Sequence, residues 1–202
     1  MQSCLSASRH HLGDGWQHAF LTAPVWRFWL GAGICGTTVL GAVMPSLDGV
    51  GRYYPLALHA IADADAPTLP PDIDPQDDWF GMAEDFLLST LARETSFDDI
   101  CSQLDGLAIP RTKSRAEADK NADKNMVPLG DGMAGMVADE TDFATALSAL
   151  RVAGPDVYAA ASFWWTAGGG SFRPLAVSCR GLPDPYRYST LLTGDLGETV
   201  AR

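Results

Sequence analysis

The sequence predicts an α+β protein whose mainly antiparallel sheet is built from two hairpins with helices packed on it. Residues 39–61 read as two apolar runs separated by a tight turn at Asp48 and Gly49, the second run opening with Arg52, Tyr53 and Tyr54. Two β-rich runs joined by a short Asp-Gly loop are a strong local hairpin signal. Residues 158–166 and 172–179 form a similar pair around Gly168, Gly169 and Gly170. Between these pairs lie stretches with apolar residues at helical spacing. Strands that arrive in hairpins, without regular alternation with helices, argue an antiparallel sheet. The 39–61 hairpin is expected at its centre.

The 202 residues suit one domain over 1–202, and the 47% hydrophobic and 19% charged content is that of a globular chain. The formal net charge of -11 repels phosphate backbones and anionic lipid, which disfavours nucleic acid as a partner. Cys4, Cys35, Cys101 and Cys179 are scattered, with no C-x-x-C pair and no His at zinc-ligand spacing. Reduced thiols of a cytosolic protein fit this better than a disulfide framework. Nothing before Cys4 resembles a signal peptide. Residues 28–47 carry no charge over the length of a membrane span, but Gly31, Gly33, Gly36, Gly41 and Pro45 break them into strand-sized pieces, so no membrane insertion is expected.

Taken in order, residues 4–12 place Leu5, Ser8 and Leu12 at helical spacing and stop at Gly13. Residues 15–22 add a turn or two with Trp16, Ala19 and Phe20 on one face. In 23–30, Trp26 and Phe28 alternate with Arg27 and Trp29 in the period of a half-buried strand, with Pro24 at its beginning. Residues 31–36 link it to the hairpin. Residues 63–78 hold four prolines and six aspartates and no basic residue, which predicts an extended surface loop ending where Asp77 or Asp78 caps a helix.

The clearest amphipathic helix covers 79–94, with Trp79, Phe80, Ala83, Phe86, Leu87, Thr90 and Leu91 on its apolar stripe and Glu84, Asp85, Ser89 and Arg93 opposite. Ser96 with Asp99 forms a capping box for a helix over 97–104 that stops at Gly106. Residues 111–125 repeat Ala-Asp-Lys-Asn in tandem without an apolar stripe and read as a mobile insertion. The glycine-rich 126–136 stretch takes no assignment. Phe143, Ala146, Leu147 and Leu150 predict a helix over 141–152, and 186–192 a last short one.

For chemistry, Ser46, Asp48 and His59 contain the residue types of a nucleophile, an orienter and a base. The M-P-S-L-D context inside a hairpin lacks the strained strand-to-helix turn that a serine nucleophile needs. Ser46 or Asp48 is better explained as accepting backbone N–H groups in the turn, with Arg52 paired to Asp48 across it. Cys101 has no histidine near it in sequence and reads as helix packing. His10 and His11 are adjacent and diverge on a helix, no metal set has ligand spacing, and no phosphate-binding glycine motif is present. No catalytic residue, metal or cofactor is assigned. Trp164 and Trp165 point to opposite faces of a strand, so one fills the core and the other is free to meet a partner.

A-P-V-W-R-F at 23–28, M-P-S-L-D-G-V-G-R-Y-Y-P-L at 44–56, and S-F-W-W-T followed by G-L-P together resemble the TagF family, also called ImpM. The likeness runs to about Leu192, apart from 111–125. It implies a cytoplasmic, non-enzymatic regulator, of the post-translational repressor type, of type VI secretion assembly. Its implied partner is a forkhead-associated scaffold protein of the apparatus. Members usually begin with a further segment of the type G-x-x-G-K-L-P-x-x-G-D-F, so this chain is expected to lack one strand at a sheet edge. The expected partner-binding residues are Ser46, Asp48, Arg52 and one or other of Trp164 and Trp165. The competing readings are a small hydrolase using Ser46 or Cys101, and a passive structural adaptor of the apparatus.

Overall fold

The computed structural model describes residues 2–62, 70–71, 76–91, 96–108, 110, 126–130, 133–137 and 158–196. The expected 111–125 insertion, the 141–152 helix and most of the acidic 63–78 loop lie outside them. Helices α1 (Gln2–Leu12) and α2 (Trp16–Thr22) precede strand β1 (Trp26–Leu30) and a single helical turn, α3 (Ala32–Cys35). Strands β2 (Val39–Leu47) and β3 (Tyr53–Ile61) follow, then helices α4 (Asp77–Ser89) and α5 (Phe97–Asp105). Strands β4 (Met126–Gly130), β5 (Met133–Val137), β6 (Ala161–Thr166) and β7 (Leu175–Arg180) precede a last helix, α6 (Tyr188–Thr193).

The strands form one sheet in the order β3-β2-β1-β6-β7-β5-β4. Every neighbouring pair is antiparallel, so the α+β class with an antiparallel sheet holds. Two features differ from expectation. The 39–61 hairpin is at one edge, because β1 pairs on its other side with β6 and leaves β3 outermost. A third hairpin, β4–β5, occupies the glycine-rich stretch left unassigned, where Gly and Pro conceal a strand pattern.

Both faces of the central strands are covered. Strand alternation sends Trp29, Leu40, Phe163 and Trp165 to one face, where Trp79, Phe80, Ala83 and Leu87 of α4 pack on them. Trp26, Leu175 and Val177 go to the other, against Leu191 of α6. Trp16 and Phe20 of α2 stack at 4.9 Å between ring centres, and Tyr53 meets both edge-on. This two-sided burial corrects the half-buried reading of β1, in which Trp26, Phe28, Trp29 and Leu30 are all buried.

Helix α4 begins without the expected cap. Gln76, at φ 55, holds the N-cap position without a side-chain capping bond, while Asp77 and Asp78 lie within the first turn, where their charge suits the helix dipole. The helix ends at Ser89, and Leu91, expected on the buried stripe, is 56% exposed. Glu84, expected to face solvent, accepts from Arg27 Nε at 2.7 Å and Nη2 at 3.0 Å, while Asp77 takes Nη1 at 3.2 Å. This fork pins α4 to β1. The Ser96–Asp99 capping box is present at the start of α5.

Candidate functional site

The tip of the β2–β3 hairpin is built around one carboxylate. Asp48 Oδ1 accepts the backbone N–H groups of Val50 at 3.0 Å and Arg52 at 2.8 Å, and Oδ2 accepts Arg52 Nε at 2.6 Å. The main chain closes the loop as well, with Asp48 N–H donating to the Arg52 carbonyl and Gly51 N–H to the Asp48 carbonyl, both at 3.0 Å. Gly51 supplies the positive φ of 84 that the reversal requires. Asp48, and not Ser46, therefore satisfies the turn.

These bonds hold the Asp48 carboxyl below the ordinary aspartate value, the Arg52 backbone N–H having the largest effect and the Arg52 guanidinium the next. A folded-state pKa depressed in this way makes the turn's contribution complete above the unfolded value and lost as pH falls through the folded one. An NMR titration should therefore show the Val50 and Arg52 amide resonances moving together with a midpoint below 3.8, the ordinary value. In Asp48→Asn that acid transition should vanish. A midpoint at or above 3.8 would mean the carboxylate does not hold the turn in solution.

The remaining expected residues separate. The Arg52 side chain is 80% exposed, so the salt bridge leaves most of its guanidinium open to a partner. Exposed Leu47 and Val50 flank it, an apolar contribution that sequence reading missed because both belong to an otherwise ordinary hairpin pattern. Ser46 is buried and faces inward. Trp165 is buried completely against Phe80, whereas Trp164 is half-buried, tilted over Phe28 at 5.3 Å, and donates from Nε1 to Ser162 Oγ at 3.0 Å. Of the tryptophan pair, Trp164 is thus the one that reaches a surface. Trp164 lies across from Phe28, which lies across from Gly41, seven residues along β2 from Asp48. At ~3.3 Å per residue, the loop tip and Trp164 are roughly 23 Å apart along the sheet, so they are two surfaces.

The catalytic reading gains nothing from the fold. His59 stands opposite Gly41, five residues along β2 from Ser46. An odd offset puts Ser46 and His59 on opposite faces, about 17 Å apart along the strand. Cys101 is part of α5, half-buried. Among the described residues, no three His, Cys, Asp or Glu side chains gather as metal ligands, and no helix is long and apolar enough to cross a membrane.

An antiparallel sheet clad by helices, with a charged hairpin tip held by Asp48, defines an α+β protein. Residues 1–107 match the model of the TagF N-terminal domain, described as type VI secretion system-associated. The chain belongs to this family. Its structure is similar to the crystal structure of PA0076 from Pseudomonas aeruginosa PAO1, with a TM-score of 0.68 and 28% identity over 100% of this chain and 84% of that one. None of the curated proteins matches.

Proposed function

We propose that this type VI secretion-associated regulator is a cytoplasmic, non-enzymatic, post-translational repressor of secretion assembly, acting by binding a forkhead-associated scaffold protein of the apparatus. The observation that supports a binding role most is the hairpin tip. Asp48 fixes the loop, so an exposed guanidinium and two exposed apolar side chains are displayed with little ordering left to lose on association. Arg52 and Asp48 are the contact residues, with Leu47 and Val50 beside them, and Trp164 offers a second contact on a separate surface. Ser46 and Trp165, being buried, support the strands that carry them.

The test is capture of the scaffold's forkhead-associated domain by the purified protein. Arg52→Ala combined with Val50→Asp changes only exposed tip residues and should weaken capture at least tenfold, since anchors of this type contribute about 1–2 kcal/mol each. Undiminished capture would remove the tip from the interface. Deletion of the protein should raise secretion if it is a repressor, whereas deletion of a passive adaptor should abolish it.

A further inference from the structure

On the sheet face opposite α4, a cavity of about 550 Å³ lies between the strands, the start of α1 and the segment that leads into α6. That volume is in the range of small-molecule sites, roughly 300–1,000 Å³. Its walls are apolar. Trp26, Val43, Pro45 and Trp164 come from three strands, and Leu191 closes the side opposite them. The indole N–H groups in those walls are already occupied. Trp26 Nε1 donates to the Leu191 carbonyl at 2.9 Å, and Trp164 Nε1 to Ser162 Oγ, which donates in turn to the Gly181 carbonyl at 2.6 Å. Tyr188 also lines the cavity, and burial with the neighbouring Cys4 pushes its phenol up to about 12, so it stays neutral.

The charge is confined to the rim. Arg180 and Arg187 are both exposed there, and neither has an ion pair among the described residues. Asp184 is the acidic residue of the lining, and its Oδ1 is occupied by the Tyr186 backbone N–H at 2.7 Å. In a chain of net charge -11, two guanidiniums with no ion pair among the described residues, beside a largely apolar, indole-walled cavity, are a local reversal of sign. An uncharged ligand would leave them unused, and a cationic one would be repelled.

We propose that this cavity binds a single-chain amphipathic carboxylate, its hydrocarbon against Trp26, Trp164 and Leu191 and its carboxylate at Arg180 and Arg187. This goes beyond the scaffold-binding reading and does not depend on it. Dodecanoate, used below its micelle concentration, is the probe, and calorimetry is the measurement. Dodecanoate should bind saturably at one site, with decanoate on the order of tenfold weaker because two methylenes are no longer buried. Arg180→Ala with Arg187→Ala should weaken dodecanoate at least tenfold and leave dodecanol binding unchanged, and both positions are exposed, so folding is preserved. Occupancy should also slow iodoacetamide alkylation of Cys4, which lines the cavity, and leave exposed Cys35 unaffected. Equal affinity for dodecanoate and dodecyltrimethylammonium would overturn the proposal. So would undiminished binding by the double variant, equal protection of Cys4 and Cys35, or absence of saturable binding.

Discussion

Trp165→Ala should lower the unfolding free energy by about 4 kcal/mol and the melting temperature by about 10 °C, whereas Trp164→Ala should cost about half as much. The two residues are neighbours of identical chemistry, so the contrast isolates environment. Trp165 is 0% exposed, in the central strand of the sheet, edge-on to Phe80 of α4 with ring centres 4.7 Å apart. Its loss opens a void where the sheet meets its main covering helix, and close-packed neighbours relax only partly into such a void. Trp164 gives up one indole hydrogen bond and the Phe28 contact, and water can fill part of the space it leaves. Thermal and urea melts followed by circular dichroism measure both. Equal destabilisation would contradict the assignment of Trp165 to the core and Trp164 to a surface, and with it the choice of Trp164 as a contact residue.

Local patterns in the sequence specified what local physics decides. Asp48-Gly49 between two apolar runs gave the β2–β3 hairpin because turn chemistry and strand pattern are both read within a few residues. Ser96 and Asp99 gave the start of α5 for the same reason. What failed depends on distant pairing. That β3 is an edge strand and β6 the middle one follows from β1 pairing with residues more than 130 positions away, and no periodicity encodes it. Periodicity put Trp164 and Trp165 on opposite faces, yet which face α4 would cover was settled only by tertiary packing. The Arg27–Glu84 fork was missed because a lone glutamate on a polar helix face looks solvated until the partner strand is placed. The cavity is the extreme case. Cys4, Trp26, Trp164 and Leu191 come from four separate stretches, each of which is explained locally as ordinary packing.

Gly31→Ala should cost about 3 kcal/mol or more, although Gly31 has φ -65 and ψ 152, a conformation open to any residue. The cost is one of space. A Cβ there would overlap the Tyr158 carbonyl oxygen and would lie 2.6 Å from that of Ala159, and both are main-chain atoms. The chain cannot simply move aside, because the Gly31 N–H donates to the Ala161 carbonyl at 2.9 Å and so fixes the end of β1 to the start of β6. Relief requires either breaking that bond or displacing the entry to β6, the strand that carries both tryptophans. Gly49→Ala is the control: an added Cβ there meets nothing within 4 Å, and its melting temperature should stay within about 2 °C of the parent's. If Gly31→Ala melted with the control, the β1–β6 junction would have to open by more than an ångström at negligible cost. The register that sends Trp165 inward and Trp164 outward would then have to be fixed by the β6–β7 pairing instead.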